Sequence, residues 1–224
     1  MDVRNAVTGR RSVRAFLEKD VPMEAIRGVL ERAIRSPSGG NLQPWNLHVI
    51  GGQPLARLKA LMREKTAAGL AGEDPPAYQI YPRDLKSPYR DRRFAVGEAM
   101  YAALGIPRED KPARMRWFAN NFQLFGAPLG IFISVDRDMG APQWADLGIM
   151  MQTIMLLLRA EGIESCPQEC WALYPTLMSQ CLSLPENHLI FAGIAVGYAD
   201  WDAPVNGFAV ERASIEELVS FIGC

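Results

Sequence analysis

The chain has 224 residues, of which 49% are hydrophobic and 22% charged, and its formal net charge is −1. That is enough apolar material for one well-filled globular domain. It supplies no global field to draw the chain to nucleic acid or an anionic membrane, so any bound anion is held by a local cluster. The N-terminal Met-Asp-Val-Arg-Asn runs into charge without an apolar h-region, and no secretory signal is expected. The most apolar stretch, 147–158, contains Gln152 and Thr153 and is too short to span a bilayer. Cys166 and Cys170 form a C-x3-C pair with no second pair, Cys181 and Cys224 stand apart, and the only histidines, His48 and His188, are distant in sequence. Neither a zinc site nor a disulfide framework is expected, which points to a reducing cytoplasm.

In chain order, residues 22–35 carry apolar residues at helical spacing (Ile26, Val29, Leu30, Ala33, Ile34), with Pro22 suited to the first turn and Pro37 as the stop. Residues 36–43 form a loop, and Leu47, Val49 and Ile50 predict a short strand ended by Gly51-Gly52. Residues 54–67 predict a helix. Residues 69–92 hold four prolines and three tyrosines and are expected to form an irregular, lid-like segment within a 69–115 insert. Helices are expected over 93–104 and 108–124, a buried strand over 129–135, and a long, central helix over 143–161. A second buried strand is expected over 189–196, then a polar tail over 200–224 with a short helix near 214–221. Strands that are few and far apart, without one-for-one alternation with helices, predict an α+β fold.

Four segments carry candidate chemistry. Arg10-Arg11-Ser12-Val13-Arg14 places three guanidinium groups and a hydroxyl within five residues; it suits phosphate oxygens, with a solvated basic turn or a nucleic-acid contact as alternatives. Ser36-Pro37-Ser38-Gly39-Gly40-Asn41-Leu42-Gln43-Pro44-Trp45 offers small residues for close approach and two amides for hydrogen bonding, or is a plain connecting loop. Cys166-Pro167-Gln168-Glu169-Cys170-Trp171 holds either a reactive thiol or two small buried hydrophobes. In the tail, Asn206 and Arg212 are polar groups able to close over a ligand. A dinucleotide fingerprint, a phosphate loop, a nucleophile elbow and a His-Glu-x-x-His pair are all missing from the sequence.

Taken together, these segments resemble the nitroreductase family of FMN flavoenzymes. The similarity rests on residues 10–16, on 36–45 at the expected distance, on 120–128 (Asn-Asn-Phe-Gln-Leu-Phe-Gly-Ala-Pro), on Pro167-Gln168-Glu169 and on the 206–212 tail. The segment 78–108, with Tyr81-Pro82, Pro88-Tyr89 and Gly105-Ile106-Pro107, resembles the branch of nitrobenzoate-type reductases. The resemblance implies one α+β domain over 1–224, with a central, mostly antiparallel mixed sheet, and an intertwined homodimer with FMN at the interface. It implies that Arg10, Ser12 and Arg212 hold the FMN phosphate with Arg11 nearby, and that Arg14 lies at the pyrimidine edge. Asn120 and Gln123 are placed along the ring, and the main chain of Gln168 and Glu169, following Pro167, is placed near flavin N5. Pro37, Ser38, Gly39, Asn41 and Gln43 reach in from the other subunit. Cys170 stands where many relatives have glycine, and Gln123 where some have lysine.

The implied activity is ping-pong. NAD(P)H reduces FMN and leaves, and a small aromatic acceptor then takes its place, nitroaromatics first and quinones second. Phe122 and Phe125 are expected to line the acceptor pocket. The cofactor carries the hydride chemistry, so no catalytic side chain and no metal is expected. Reductive dehalogenation, azoline oxidation, flavin destruction and non-catalytic flavin binding are the alternatives.

Overall fold

Two runs rich in β-branched and aromatic residues, Leu129–Asp136 (β2) and His188–Gly197 (β4), pair antiparallel at the centre of a four-stranded sheet. Asn46–Gly51 (β1) pairs with β2 and Glu164–Gln168 (β3) with β4, so the order is β1-β2-β4-β3 and every strand pair is antiparallel. The expected antiparallel character holds. Its mixed component reduces, among the described residues, to one parallel bridge between Ser12 and Ser165. This computed structural model describes residues 1–67, 69–73 and 75–223. Ala68, Asp74 within the 69–92 segment, and Cys224 at the end of the tail lie outside the described residues.

β2 reads as a continuous apolar run because both sheet faces are covered. Leu129, Ile131 and Ile133 pack with Met23–Ala33 (α2) and Ala141–Ala160 (α6), while Phe132 packs on the other side with Gly52–Ala67 (α3) and Pro175–Leu182 (α7). A bulge leaves Phe191 unpaired between Ala192, opposite Ile133, and Ile190, opposite Ser134.

The chain opens with Val3–Gly9 (α1), capped by the Asp2 carboxylate, which accepts the Asn5 N–H at 2.8 Å. The helix expected from 93 begins earlier, as Tyr89–Ala103 (α4). The helix expected over 108–124 divides into Lys111–Ala119 (α5) and 3-10 turns over Asn120–Gly126, in which Leu124 (φ 52°) and Phe125 (φ 53°) are left-handed. Such residues cost on the order of 1 kcal/mol or more each. Burial of Phe122, Leu124 and Phe125 offsets that cost, and a continuous helix would not place all three inward. The tail holds the turn Pro204–Gly207 (α8) and Ile215–Leu218 (α9), shorter than the helix expected over 214–221.

The 69–92 segment is not free along its whole length. Gly72 has φ 80°, and a Cβ there would stand 2.8 Å from the Leu173 carbonyl. The Glu73 and Ala77 N–H groups donate to the Leu173 and Ala172 carbonyls at 2.7 and 2.8 Å. The Glu73 carboxylate accepts the Thr176 and Leu177 N–H groups at 2.6 and 3.2 Å, so it caps α7 from a segment far away in sequence. Tyr78 sits edge-on to Trp144 at 4.9 Å and donates its hydroxyl to the Phe191 carbonyl. Gly72, Glu73, Ala77 and Tyr78 therefore anchor this part of the expected lid to the body of the fold.

The two histidines, distant in sequence, are joined by one hydroxyl. His48 Nε2 lies 2.8 Å and His188 Nδ1 3.3 Å from Ser134 Oγ, and Ser134 is fully buried. The hydroxyl carries one hydrogen, so it donates to one ring and accepts from the other, and two protonated rings would leave that hydrogen without a partner. Burial, and secondarily the neighbouring His188, lower the His48 pKa from its ordinary 6.5. The unfolded chain therefore binds more protons than the folded one in the window below about 6.5, and stability falls as pH drops through it. The urea midpoint is expected to be lower at pH 5.5 than at pH 7.5, and this difference to shrink in His48→Gln.

Candidate active site

The arginine segment takes its geometry from β3. Val13 donates its N–H to the Ser165 carbonyl at 3.0 Å, and Phe16 bridges to Ala199. Val13 is buried, and extended backbone sends alternate side chains to opposite faces, so its neighbours Ser12 and Arg14 turn to the other side, where Arg10 also lies. They line a cavity of about 600 Å3 together with Arg11, Asn206 and Arg212. None of these four arginines has a carboxylate within ion-pair distance among the described residues. Burial, and then the like charge of Arg212, lower the Arg10 pKa. Unneutralised guanidinium groups that repel one another across a cavity make a site for an anion.

Asn206 is not one of the free donors. Its side-chain oxygen accepts the Arg14 N–H at 2.7 Å, and its amide donates to the Ala15 and Asp200 carbonyls at 2.8 and 2.7 Å. Asn206, expected at the cofactor, borders the cavity while its side chain fastens the tail to the arginine segment, and its backbone carbonyl accepts from Arg11 at 3.1 Å.

Arg14 also lines a second cavity, of about 370 Å3, walled by Tyr81, Tyr101, Trp117, Phe118, Phe125 and the Pro167–Cys170 turn. The Gln168 side chain is buried and committed, donating to the Asn121 carbonyl at 2.7 Å and accepting from the Trp171 indole at 3.3 Å. The main chain of this turn is what remains for a ligand. Desolvation in the wall raises the Glu169 carboxyl pKa. Burial pushes the Cys166 thiol up to about 11 and Cys170 well above its ordinary value, so both thiols are neutral hydrophobes and not nucleophiles.

Several expected site residues fall elsewhere. Phe122 is fully buried between Trp171 and Tyr174 and supports the wall from behind, so only Phe125 of the expected pair lines the aromatic cavity. Gln123 turns to α3, donating to the Lys59 carbonyl at 3.0 Å and accepting from Arg63 at 2.9 Å. Asn120 lines neither cavity, whereas its neighbour Asn121 lines the aromatic one. Pro37, Ser38, Gly39, Asn41 and Gln43 line neither cavity in the single chain. The Asp146 carboxylate on α6 anchors that loop by accepting the Gly39 N–H at 3.2 Å. Tyr81, Trp117, Asn121 and Gln152 are cavity residues that the sequence reading missed. A tyrosine in a proline-rich segment and the doubled asparagine were the available signals.

The nitroreductase family model matches residues 7–198. The chain belongs to the nitroreductase family. A 4-nitrobenzoate reductase of Pseudomonas putida is 35% identical to this nitroreductase-family chain, covering 99% of it and 96% of the relative. The solved structure of an FMN- and NADPH-dependent nitroreductase from Sphingopyxis sp. strain HMH superposes with a TM-score of 0.96 at 42% identity, covering all of both chains. The FMN-dependent nitroreductase of Mycobacterium smegmatis, solved in complex with NADPH, gives 0.92 at 32% identity over 98% of this chain and 97% of that one.

Proposed function

We propose that this nitroreductase-family chain is an FMN-dependent NAD(P)H oxidoreductase that reduces nitroaromatic compounds, with quinones as a second acceptor class. One observation carries the reading: Arg14 borders both an arginine-lined cavity and an aromatic one. A ligand with an anionic tail and a flat ring system fits across that junction. FMN has this form, and related solved enzymes are FMN-dependent. Arg10, Ser12 and Arg212, with Arg11 beside them, would hold its phosphate. Arg14 would place fixed positive charge where electron density grows, and the Gln168–Glu169 main chain would orient the ring. Bound FMN supplies the hydride and electron-transfer chemistry. The aromatic wall binds and orients the reductant and then the acceptor, each taking the cavity in turn, which gives ping-pong kinetics.

Residues 1–224 act as one unit, with the 69–115 insert over the aromatic cavity and the 200–224 tail as an arm. The working form is a homodimer in the reducing cytoplasm. The 37–43 loop is largely exposed and lines neither cavity of its own chain, and Leu218, Phe221 and Ile222 in the arm are 63%, 69% and 91% exposed. A partner subunit would cover the arm and receive the loop at its flavin. The purified protein should be yellow and should oxidise NADPH when 4-nitrobenzoate is added. A colourless protein that FMN cannot reconstitute would overturn this reading. Dilution below the dimer dissociation range should release FMN, seen as rising flavin fluorescence.

A further inference from the structure

The insert over the aromatic cavity is locally basic although the chain is not. Residues 83–116 carry nine Lys and Arg against five Asp and Glu, a net of +4 against −1 for the whole chain. Several of these cations are already engaged. Arg90 pairs with Asp91, Arg92 with Glu217 on α9, and Arg114 with Glu98. Arg93 makes no ion pair among the described residues. Its guanidinium lies 4.1 Å from the centroid of the Tyr81 ring. Tyr81 lines the aromatic cavity and is 46% exposed, so it stands at the cavity's solvent edge. Arg93 itself stands behind Tyr81 and does not line the cavity; among the described residues the one cation in its lining is Arg14, at the junction with the arginine-lined cavity.

A guanidinium resting on an aromatic face is held in place by the ring quadrupole while its N–H donors stay available. Such a group, next to a cavity for flat ligands, is preorganised for an oxyanion carried on an aromatic ring. We propose that Arg93, positioned by Tyr81, is an oxyanion-binding subsite at the mouth of the aromatic cavity, and that it selects acceptors bearing a carboxylate. This rests on the reading of the cavity as the acceptor site. The same chemistry would also take the extra phosphate that separates NADPH from NADH, and the kinetics distinguish the two sources.

The test is steady-state kinetics of the FMN-loaded enzyme and its Arg93→Gln and Arg93→Lys variants, with 4-nitrobenzoate and nitrobenzene as acceptors and NADPH and NADH as reductants. Arg93→Gln is expected to raise KM for 4-nitrobenzoate by about tenfold, the scale of one solvent-exposed charge-assisted contact, with a much smaller change for nitrobenzene. Arg93→Lys should recover part of the loss. Salt should raise the wild-type KM for 4-nitrobenzoate and leave that of Arg93→Gln nearly flat. A rise confined to NADPH supports the same oxyanion site with the reductant's phosphate as its occupant. Equal changes for charged and neutral substrates, or no change, overturn the subsite. A wild-type enzyme that holds FMN yet reduces neither nitroarene overturns the parent function instead. The subsite is then judged by 4-nitrobenzoate quenching of flavin fluorescence, where equal binding by wild type and Arg93→Gln overturns it.

Discussion

Replacing Arg10 and Arg212 together by alanine is expected to weaken FMN binding by about a hundredfold or more, because each removes a charge-assisted phosphate contact worth roughly a factor of ten. The folded chain should survive. With no anion bound, Arg10 is half-buried beside a like charge, and its pKa is lowered for that reason. Removing the pair relieves repulsion, so the thermal midpoint of flavin-free protein should stay level or rise while flavin affinity collapses. Fluorescence titration with FMN and a melt of the same flavin-free sample separate the two effects. A parallel fall in both would mean that the arginines act as scaffold.

The second large effect is expected at Trp171. The indole is fully buried, edge-on to Phe132 at 5.0 Å and to Phe122 at 5.5 Å. It sits so close to the backbone of β4 that a Cβ on Gly193 would fall 2.7 Å from the ring. Trp171→Ala should cost about 3–5 kcal/mol, the usual loss for emptying a large aromatic site. Domains of this kind are stable by only about 5–15 kcal/mol, so the urea midpoint should drop sharply. Gly193→Ala approaches the same ring from the other side and should cost about 1–3 kcal/mol by overpacking. Trp171→Ala should also reach the site. Its indole N–H is the partner of the Gln168 amide, which in turn holds Asn121 in the cavity wall.

Much of this architecture was readable from local pattern. β2 and β4 announce themselves as unbroken apolar runs, and Ile26, Val29 and Ala33 mark the buried stripe of α2. The arginine segment stood out as a candidate anion site because three guanidinium groups fall within five residues, whereas Arg212, beside Glu211, was joined to it only through the family resemblance. β3 was not, since Glu-Ser-Cys-Pro-Gln lacks alternation and contains a proline that only an edge strand tolerates. α7 was hidden because its cap comes from Glu73 and not from its own residues. Around Asn120–Gly126 the left-handed pair Leu124–Phe125 decides which side chain faces where. Residue type alone could not separate Asn120 from Asn121, or Phe122 from Phe125. The His48–Ser134–His188 link joins three strands, and no spacing in the chain encodes it.

The Glu73 cap bears on how the molecule opens. α7 obtains hydrogen-bond acceptors for its first turn from the segment that also packs Tyr78 against Trp144. Neither piece can leave without stranding the other's polar groups, so the two should unfold as one cooperative unit despite their separation in sequence. In native-state hydrogen exchange, the Thr176 and Leu177 amides should therefore share an opening free energy with the Ala77 amide. Residues 79–88, beyond that anchor, are left to fluctuate at lower cost beside the entrance where Tyr81 stands.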